Sequence, residues 1–243
     1  MWHKITSNYS PNFSLPKRSK GKIKYIIIHY TGMKSEISVI KRLSNEKSKV
    51  SAHYFIKKNG QIINLVPDLY EAWHAGKSSW KKIKSLNKNS IGIEIQNQGH
   101  NHKYEKYSSK QVVSIQALLK ILIKTYKINL KNILGHSDIS PDRKKDPGEK
   151  FPWKKLANVN LAKWHKLNEK KLRKNRLKKL DKTEEKKFLK KLYLIGYNKI
   201  KKLNPNLNKK FLVKAFQRRF RQSLINGKSD QECLLIAKNL LKS

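Results

Sequence analysis

The pattern of apolar and polar positions predicts short β-strands in the first 157 residues. An apolar, β-branched run at 22–30 (KIKYIIIHY) is typical of a buried strand, and residues 90–99 (SIGIEIQNQG) predict another. Residues 51–66 predict a hairpin, because two β-rich segments flank Asn59-Gly60, a dipeptide that favours tight turns. Residues 132–153 predict one more short strand, followed by a loop rich in Pro and Asp.

Helical periodicity alternates with these strands. Residues 36–47 carry apolar side chains at helical spacing, and residues 108–127 carry five of them on one helical face, with Ser108 or Ser109 available as the N-cap. Because strands and helices alternate along the chain, we expect an α/β fold with a mixed central β-sheet flanked by helices.

The amino-acid composition of the chain changes after Trp153. Residues 160–187 are dominated by Lys and Leu and predict a helical linker with solvated charges. Three amphipathic helices are predicted beyond it, at about 184–195, 209–222 and 230–242, and they indicate a small C-terminal three-helix domain. We therefore divide the chain into a polar N-terminal leader (1–21), a catalytic domain (22–157), a basic helical linker (158–183) and the three-helix domain (184–243).

Composition excludes several classes of protein. The 243 residues are 37% hydrophobic, which is too apolar for a wholly disordered chain, and no stretch approaches the roughly 18 to 20 apolar residues of a membrane helix. The single cysteine, Cys233, cannot form a disulfide within the chain. Residues 1–21 contain no apolar signal-peptide core and no cysteine to lipidate, so we expect a protein without a transmembrane segment and, by default, a cytoplasmic one.

The net charge of +41 raises the question of nucleic-acid binding, because Lys and Arg release counterions from phosphates. Residues 1–157 carry a net charge of +21 and residues 158–243 one of +20, so neither half is a neutral scaffold for a basic patch. The chain has 49 Lys but only 8 Arg, although Arg is the better bidentate ligand of phosphate and guanine. The Lys, Asn and Ile excess favours genome-wide codon drift over selection for a ligand, and no specific nucleic-acid partner is expected.

Two histidines and one carboxylate are candidates for a metal site. His29 ends the first strong strand, His136 follows another short apolar run, and Asp146 lies ten residues further on in the Pro-rich loop. Two histidines and a carboxylate form a known zinc ligand set that leaves the fourth position open for water. By spacing alone the signal is weak, because eight histidines offer many such triplets.

Glu94 is a candidate for acid and base chemistry. In SIGIEIQ the isoleucines alternate with Gly92, Glu94 and Gln96, so Glu94 points to the face opposite the isoleucines. A carboxylate on a central strand is costly unless it is paired or functional, and the alternative is an edge strand with a solvated face. Lys144 could place a cation beside a metal-bound oxygen, although one of 49 lysines carries no signal without a motif.

Five colinear blocks within residues 22–157 together resemble the zinc-dependent N-acetylmuramoyl-L-alanine amidases. This superfamily also includes phage lysozyme-amidases and peptidoglycan recognition proteins, and the last block and the C-terminal helices look most like its envelope-type bacterial members. The blocks are YIIIHYTG (25–32), SAHYFIKKNGQIINLVPD (51–68), AWHAG (72–76), NSIGIEIQNQG (89–99) and GHSDISPDRKKDPGEKFPW (135–153).

The resemblance implies one Zn²⁺ per chain, held by His29, His136 and Asp146. It further implies that Glu94 is the catalytic carboxylate and that Lys144 is the cation beside the scissile carbonyl. The expected reaction is hydrolysis of the amide between the lactyl group of N-acetylmuramic acid and the L-alanine of the stem peptide. Four more residues fall in motif blocks that line or support the family's cleft, with a packing role as the alternative: His53, Trp73, His74 and Asn97.

The C-terminal segment resembles a second family, the three-helix peptidoglycan-binding module. The resemblance is carried by FLKKLYLIGYN (188–198), FLVKAFQRRFR (211–221) and NGKSDQECLLIAKNLL (226–241). The segment departs from that family in its basicity and in lacking a clear DGxxGPxT signature. The fold of the module is therefore better supported than its binding activity.

A non-catalytic peptidoglycan-binding protein is the competing interpretation, since some superfamily members keep the fold and lose the metal. The presence of all five expected site residues disfavours it. The sequence leaves open whether intact peptidoglycan or soluble anhydro-muropeptides are cut. We expect a monomer in the cytoplasm, with the cell envelope as the alternative because the relatives that look closest are exported.

Overall fold

The fold is built on a six-stranded mixed β-sheet. The computed structural model describes residues 5–200 and 203–242. The strand order is β1-β5-β4-β9-β3-β10, and two further two-stranded ladders pair β2 with β6 and β7 with β8. The strands are β1 (Ile5–Ser7), β2 (Phe13–Ser14), β3 (Tyr25–Tyr30), β4 (Tyr54–Ile56), β5 (Ile62–Asn64), β6 (Glu71–Ala72), β7 (Ser79–Trp80), β8 (Ile83–Lys84), β9 (Ser90–Ile95) and β10 (Ile133–Gly135).

Parallel pairing dominates the centre of the sheet. Strand β3 lies between β9 and β10 and is parallel to both, and β4 is parallel to β9. Strands β4 and β5 pair antiparallel on either side of the Asn59-Gly60 turn, which confirms the predicted hairpin. The mixed sheet flanked by helices is therefore the fold that the sequence predicts.

Eight α-helices surround the sheet in the described part of the chain. Helix α2 begins with a capping box in which Ser108 and Gln111 exchange hydrogen bonds, so Ser108 is the N-cap. The helices are α1 (Glu36–Ser44), α2 (Ser109–Tyr126), α3 (His136–Ile139), α4 (Trp153–Asn158), α5 (Glu169–Arg173), α6 (Lys182–Ile195), α7 (Pro205–Phe220) and α8 (Gln231–Lys242), and none of them is long and apolar enough to cross a membrane.

Strand alternation assigns side chains to two faces of the sheet. Ile26 and Ile28 of β3 pack with Ile91 and Ile93 of β9 in a core that helix α2 covers. On the other face, α1 packs against β4 and β5. Ile27 belongs to that second face and packs among residues of helices α6 to α8. The C-terminal helices thus share a core with the sheet.

The segment predicted as a leader contributes to the fold. Ile5–Ser7 pairs in parallel with β5 at the edge of the sheet, and Phe13–Ser14 pairs with β6. Arg18 is buried and donates to the carbonyl oxygens of Asn87 and Ser90. The polar composition of residues 1–21 concealed these pairings, because backbone hydrogen bonds form the ladder whatever the side chain. Residues 1–4 lie outside the described residues.

The linker prediction is matched only in part. Within residues 158–183 the structure has one complete short helix, α5, and helix α6 begins at Lys182, capped by Asp181. The rest of the segment is irregular. The Lys-rich composition has helical propensity, but apolar residues outside α5, such as Leu167 and Leu180, pack against the C-terminal core in irregular conformations. The three C-terminal helices form as predicted, with residues 201, 202 and 243 outside the described residues.

Candidate metal centre and catalytic cleft

The central strands place His29 and Glu94 side by side. Strands β3 and β9 run parallel, and His29 is the register partner of Glu94. Both side chains leave the face opposite the isoleucines that pack under α2, as the alternation in SIGIEIQ predicted. His29 is almost fully buried, whereas Glu94 is partly exposed to a cleft.

Strand β10 and the loop after it bring His136 and Asp146 to the same place. Strand β10 pairs with β3 so that Gly135 lies opposite Ile28, and His136 follows at once as the first residue of α3. The loop returns to this turn, where the amide of Ser137 donates to the carbonyl oxygen of Asp146 at 2.8 Å. His136 and Asp146 are therefore neighbours of His29, although they lie 107 and 117 positions further along the chain.

Three donor atoms converge at this point. The Nδ1 atoms of His29 and His136 are 2.9 Å apart, and each lies 3.0 Å from Oδ2 of Asp146. Among the described residues they form the single group of three His, Cys, Asp or Glu side chains whose ligand atoms could hold one metal ion. Ligand atoms on a tetrahedral zinc ion, at bonds of about 2.0 Å, are separated by similar distances.

The outer nitrogen atoms of both imidazoles have acceptors that fix the tautomer. Nε2 of His136 lies 3.2 Å from the carbonyl oxygen of Ala75, so it carries the proton. Nε2 of His29 lies 3.1 Å from Nδ1 of His74. With Nε2 protonated on both rings, two Nδ1 lone pairs and a carboxylate face one another, an arrangement that a cation would stabilise. The residues therefore fit a bound zinc ion.

His74 continues this hydrogen-bond chain away from the metal site. Its Nε2 lies 3.2 Å from Oγ of Ser90, and that hydroxyl donates to the carbonyl oxygen of Leu86 at 2.6 Å. The ring packs against β9 where Gly92 has no side chain, since a Cβ atom there would lie 2.4 Å from the ring of His74. Glycine at position 92 therefore leaves room for the His74 ring, which in turn supports His29.

Burial and neighbouring charge set the ionisation of the candidate ligands His29 and Asp146. Burial, followed by the charge of the neighbouring His136, lowers the pKa of His29 to about 4, while the hydrogen bond and charge of Asp146 oppose this shift. Burial alone would raise the pKa of Asp146, but the charge and hydrogen bond of His136, followed by those of His29, hold it well below its usual value. Burial therefore favours a neutral imidazole at His29, and Asp146 is held in its ionised form; these are the forms in which the two groups bind a metal.

Glu94 has the opposite electrostatic environment. Burial raises the pKa of Glu94 to about 8, and the negative charge of Asp146 adds to this effect, while Lys144 opposes it. Its Oε2 atom is buried and has no hydrogen-bond partner. A carboxyl oxygen that is desolvated yet unpartnered can exchange a proton with a molecule in the cleft.

The cleft has a volume of about 430 Å³, and both candidate ligand histidines, Asp146 and Glu94 line it. Lys144, Trp73 and His74 also line its wall. Several lining residues were not singled out from the sequence, in particular the cations Arg42, Arg143 and Lys145. Individual cations carry no signal in a chain with 57 basic residues, so the folded structure was needed to find them.

His53 and Asn97 support the cleft from behind and do not line it. His53 is fully buried; its Nδ1 accepts from the amide of Gly92 at 2.9 Å, and its Nε2 lies 3.0 Å from the carbonyl oxygen of Tyr70. Asn97 is also buried and donates to the carbonyl oxygen of Glu105. Their contacts are those of side chains that hold strands and loops together.

A second hydrogen-bond network, absent from the sequence prediction, borders the metal site. The hydroxyl of Tyr30 lies 2.9 Å from Nδ1 of His100, whose Nε2 lies 3.1 Å from a carboxylate oxygen of Glu149. Tyr30 follows His29 directly and lines the cleft. Its position next to a candidate ligand is the one signal in the sequence that could have identified it.

Two histidines, an aspartate and an adjacent glutamate with an unpartnered oxygen on a mixed sheet are typical of the metal-dependent hydrolases. Comparison with known proteins gives the family. Residues 19–149 match the family described as N-acetylmuramoyl-L-alanine amidase. The chain therefore belongs to this family, and it is an amide hydrolase.

Full-length relatives agree with this assignment. The chain is 32% identical over 233 residues to the N-acetylmuramoyl-L-alanine amidase AmiD of Escherichia coli, covering 91% of this chain and 83% of that protein. A structure of the E. coli enzyme in complex with anhydro-N-acetylmuramic acid-L-Ala-D-gamma-Glu-L-Lys superposes with a TM-score of 0.81 at 30% identity, covering 94% of this chain and 92% of the other. AmpDh3 of Pseudomonas aeruginosa in complex with anhydromuramic pentapeptide gives a TM-score of 0.81 at 27% identity, with 96% of each chain covered.

These comparisons confirm the family, the fold and the enzymatic activity that the sequence predicted. Nothing in them supports the non-catalytic alternative. Because the matches to AmiD and AmpDh3 extend over more than nine tenths of this chain, the C-terminal helices belong to the shared architecture as well.

Proposed function

We propose that the chain is a zinc amidase that cuts the amide between N-acetylmuramic acid and L-alanine, with the metal held by His29, His136 and Asp146. The observation that carries this proposal is the convergence of three donor atoms within 3.0 Å of one another beside the unpartnered oxygen of Glu94. We assign one zinc ion to each chain, because two neutral imidazoles and one carboxylate are a zinc ligand set.

When bound, a zinc ion would lower the pKa of a water molecule and polarise the scissile carbonyl. Glu94 handles the protons. It accepts the proton of the attacking water and transfers it to the departing nitrogen of L-alanine. A carboxyl group in a desolvated wall suits both steps, because neither its charged nor its protonated form is strongly held by another protein group.

Lys144 stabilises the negative charge that develops on the carbonyl oxygen. It lines the same cleft, and its positive charge acts on both Glu94 and His29. A donor directed at a developing oxyanion contributes typically about 3 to 4 kcal/mol to transition-state stabilisation. Its removal should therefore lower the turnover number without displacing the metal.

The charge of the cleft supports an anionic stem peptide as the substrate. The cations Arg42, Arg143, Lys144 and Lys145 line the cleft. The carboxylate of Asp146, which also lines it, is a proposed metal ligand, so its negative charge would be neutralised by the metal. Stem peptides carry carboxylates, and cationic walls favour their approach. Because the AmiD and AmpDh3 structures hold anhydromuramic peptides, we propose that soluble anhydro-muropeptides as well as peptidoglycan are substrates.

The four remaining candidate residues from the sequence receive distinct roles in this proposal. Trp73 and His74 line the cleft, with His74 also positioning His29. His53 and Asn97 act as structural supports, because they are buried behind it. We further propose that residues 22–157 and 184–243 act as the catalytic and peptidoglycan-binding-like domains, joined by residues 158–183.

We propose that the enzyme works as a monomer in the cytoplasm. Its one thiol, Cys233, is buried, so the fold has no need of an oxidising compartment. Cell fractionation with an antibody against the chain tests the compartment, and recovery with the cell envelope would contradict it. Analytical ultracentrifugation of the zinc-loaded protein tests the oligomeric state.

The decisive experiment uses the purified full-length chain with one equivalent of zinc. Anhydro-N-acetylmuramyl tripeptide and intact sacculi are offered separately, and mass spectrometry follows the release of free stem peptide. We expect a peptide that begins with L-alanine from the muropeptide, and loss of that product after complete zinc removal. Activity that persists without metal, or cleavage at a different bond, would contradict the proposal.

A further inference from the structure

The C-terminal helices contact the metal site through one buried carboxylate. Asp138 lies two residues after His136 in α3, and its side chain is 1% exposed. Its Oδ2 atom accepts a hydrogen bond from the amide of Gly135 at 2.8 Å. The carboxylate therefore closes the turn from which His136 projects.

The other two donors to Asp138 come from the C-terminal helices. The hydroxyl of Tyr197, which follows α6, donates to Oδ1 at 2.7 Å. The guanidinium of Arg219 in α7 donates to Oδ2 at 3.3 Å. Tyr197 and Arg219 are 1% and 3% exposed, so water does not compete for these contacts. We call Asp138, Tyr197 and Arg219 the Asp138 junction.

Packing around the Asp138 junction leaves its groups little freedom. The guanidinium of Arg219 lies 3.8 Å from the ring centroid of Trp153, a cation–π contact. Trp153 is buried beside Gly135, where a Cβ atom would lie 3.5 Å from its ring. The ring of Tyr197 packs edge-on against Trp80 with centroids 4.9 Å apart. Helix α7 is thus connected by direct packing, through Arg219 and Trp153, to Gly135, the residue that precedes His136.

We propose that the C-terminal helices are a working part of the metal centre, in which Tyr197 and Arg219 are positioning residues that hold His136 in its ligand geometry through Asp138. The inference rests on the proposed function, because it takes His136 as a metal ligand. It gives the C-terminal domain a task that is independent of any affinity for peptidoglycan. Partners that orient a ligand residue commonly change metal affinity by about 10- to 100-fold when they are removed.

The chain offers a matched control inside the same helices. Arg221, two residues after Arg219, forms a buried ion pair with Asp230 and contacts Glu232 at 3.6 Å. It is 3% exposed, as Arg219 is, but its partners all belong to the C-terminal segment. A variant at Arg221 loses a buried cation from the domain and leaves the Asp138 junction intact.

The experiment measures zinc affinity in the full-length chain by competition with a chromophoric chelator, for wild type, Tyr197→Phe, Arg219→Met and Arg221→Met. We expect the dissociation constant to rise about 10-fold in Tyr197→Phe and up to about 100-fold in Arg219→Met, with hydrolysis of anhydro-muropeptide partly restored by excess zinc. In Arg221→Met, the thermal midpoint falls while the zinc dissociation constant stays at the wild-type value.

A double-mutant cycle separates positioning from general loss of structure. In an Asp138→Asn background, Tyr197→Phe should have little further effect on zinc affinity, because both changes break the same connection. Tyr197→Phe removes one hydroxyl without changing the shape of the ring. Its zinc affinity therefore tests the proposal even if Arg219→Met does not fold.

Wild-type zinc affinity in Tyr197→Phe, or equal weakening in Arg221→Met and Arg219→Met, would overturn the proposal while leaving the enzyme assignment intact. A wild-type chain that binds no zinc would instead refute the proposed metal site, and this inference with it.

Discussion

Replacement of Glu94 by glutamine should separate catalysis from metal binding. Glutamine keeps the size of the side chain but cannot accept and return a proton. General acid and base catalysis contributes about 100- to 10,000-fold, so we expect the turnover number for anhydro-muropeptide to fall by that factor, equivalent to about 3 to 5 kcal/mol. The three metal donors are untouched, and zinc stoichiometry should stay at one.

The same substitution should stabilise the metal-free protein. Burial raises the pKa of Glu94 to about 8 from an unperturbed value of 4.5. Above pH 4.5 the unfolded chain releases this proton, whereas the folded chain keeps it until about pH 8. Each pH unit in that window therefore favours the unfolded state by up to about 1.4 kcal/mol. Allowing for the partial exposure of Glu94, the cost at pH 7 is about 2 to 3 kcal/mol.

Urea unfolding in the presence of a chelator measures this difference. We expect Glu94→Gln to unfold at higher urea than wild type at pH 7 and at the same urea concentration at pH 4. Glu94→Asp serves as the control, because it retains an ionisable group. Equal stability of wild type and Glu94→Gln at pH 7, together with undiminished turnover, would refute the environment and the role that we assign to Glu94.

Three further outcomes follow from the structure. His136→Ala should lose bound zinc on dialysis and, with it, activity, as metal analysis of the dialysed protein will show; retention of stoichiometric zinc would contradict the ligand set. Lys144→Met should keep its zinc but lose about 100- to 1,000-fold in turnover, which steady-state kinetics at saturating zinc can measure. Burial, followed by the charge of Arg18, lowers the pKa of His53 to about 3. Below pH 6.5 the unfolded chain therefore binds a proton at His53 that the folded chain does not bind. The free energy of unfolding should fall by about 1.4 kcal/mol between pH 7.5 and 5.5 as a result. In His53→Asn this part of the pH dependence should disappear from urea unfolding, while the exposed control His102→Asn should behave as wild type.

The placement of Glu94 in the candidate site could be predicted from the sequence because strand alternation is a local property. In SIGIEIQ the isoleucines identify the core face, so Glu94 had to face the other way, and the structure has it there beside His29. The positions of His136 and Asp146 needed more than periodicity, since a loop with no regular pattern brings them together. The resemblance to a known family supplied that step, and the distances of 2.9 to 3.0 Å agree with it.

The supporting interactions could not be predicted because their partners lie far apart in sequence. Asp138 and Arg219 are separated by 81 residues, and neither has a local pattern that indicates the other. Strand β1 was missed for a related reason: its pairing with β5 uses backbone groups that every residue carries. Helix predictions were more accurate, because a cap such as Ser108 marks the helix start within a few residues.

The absence of a side chain at Gly92 has a consequence for how the enzyme tolerates mutation. Residue 92 supplies no metal donor and does not itself line the cleft, yet any larger residue there would occupy the volume of the His74 ring. In saturation mutagenesis of this protein, substitutions at position 92 should therefore reduce activity as severely as substitutions at a ligand position. A search for functional residues based on mutational tolerance alone would therefore mistake Gly92 for a catalytic or ligand residue, although its role is to leave out a side chain.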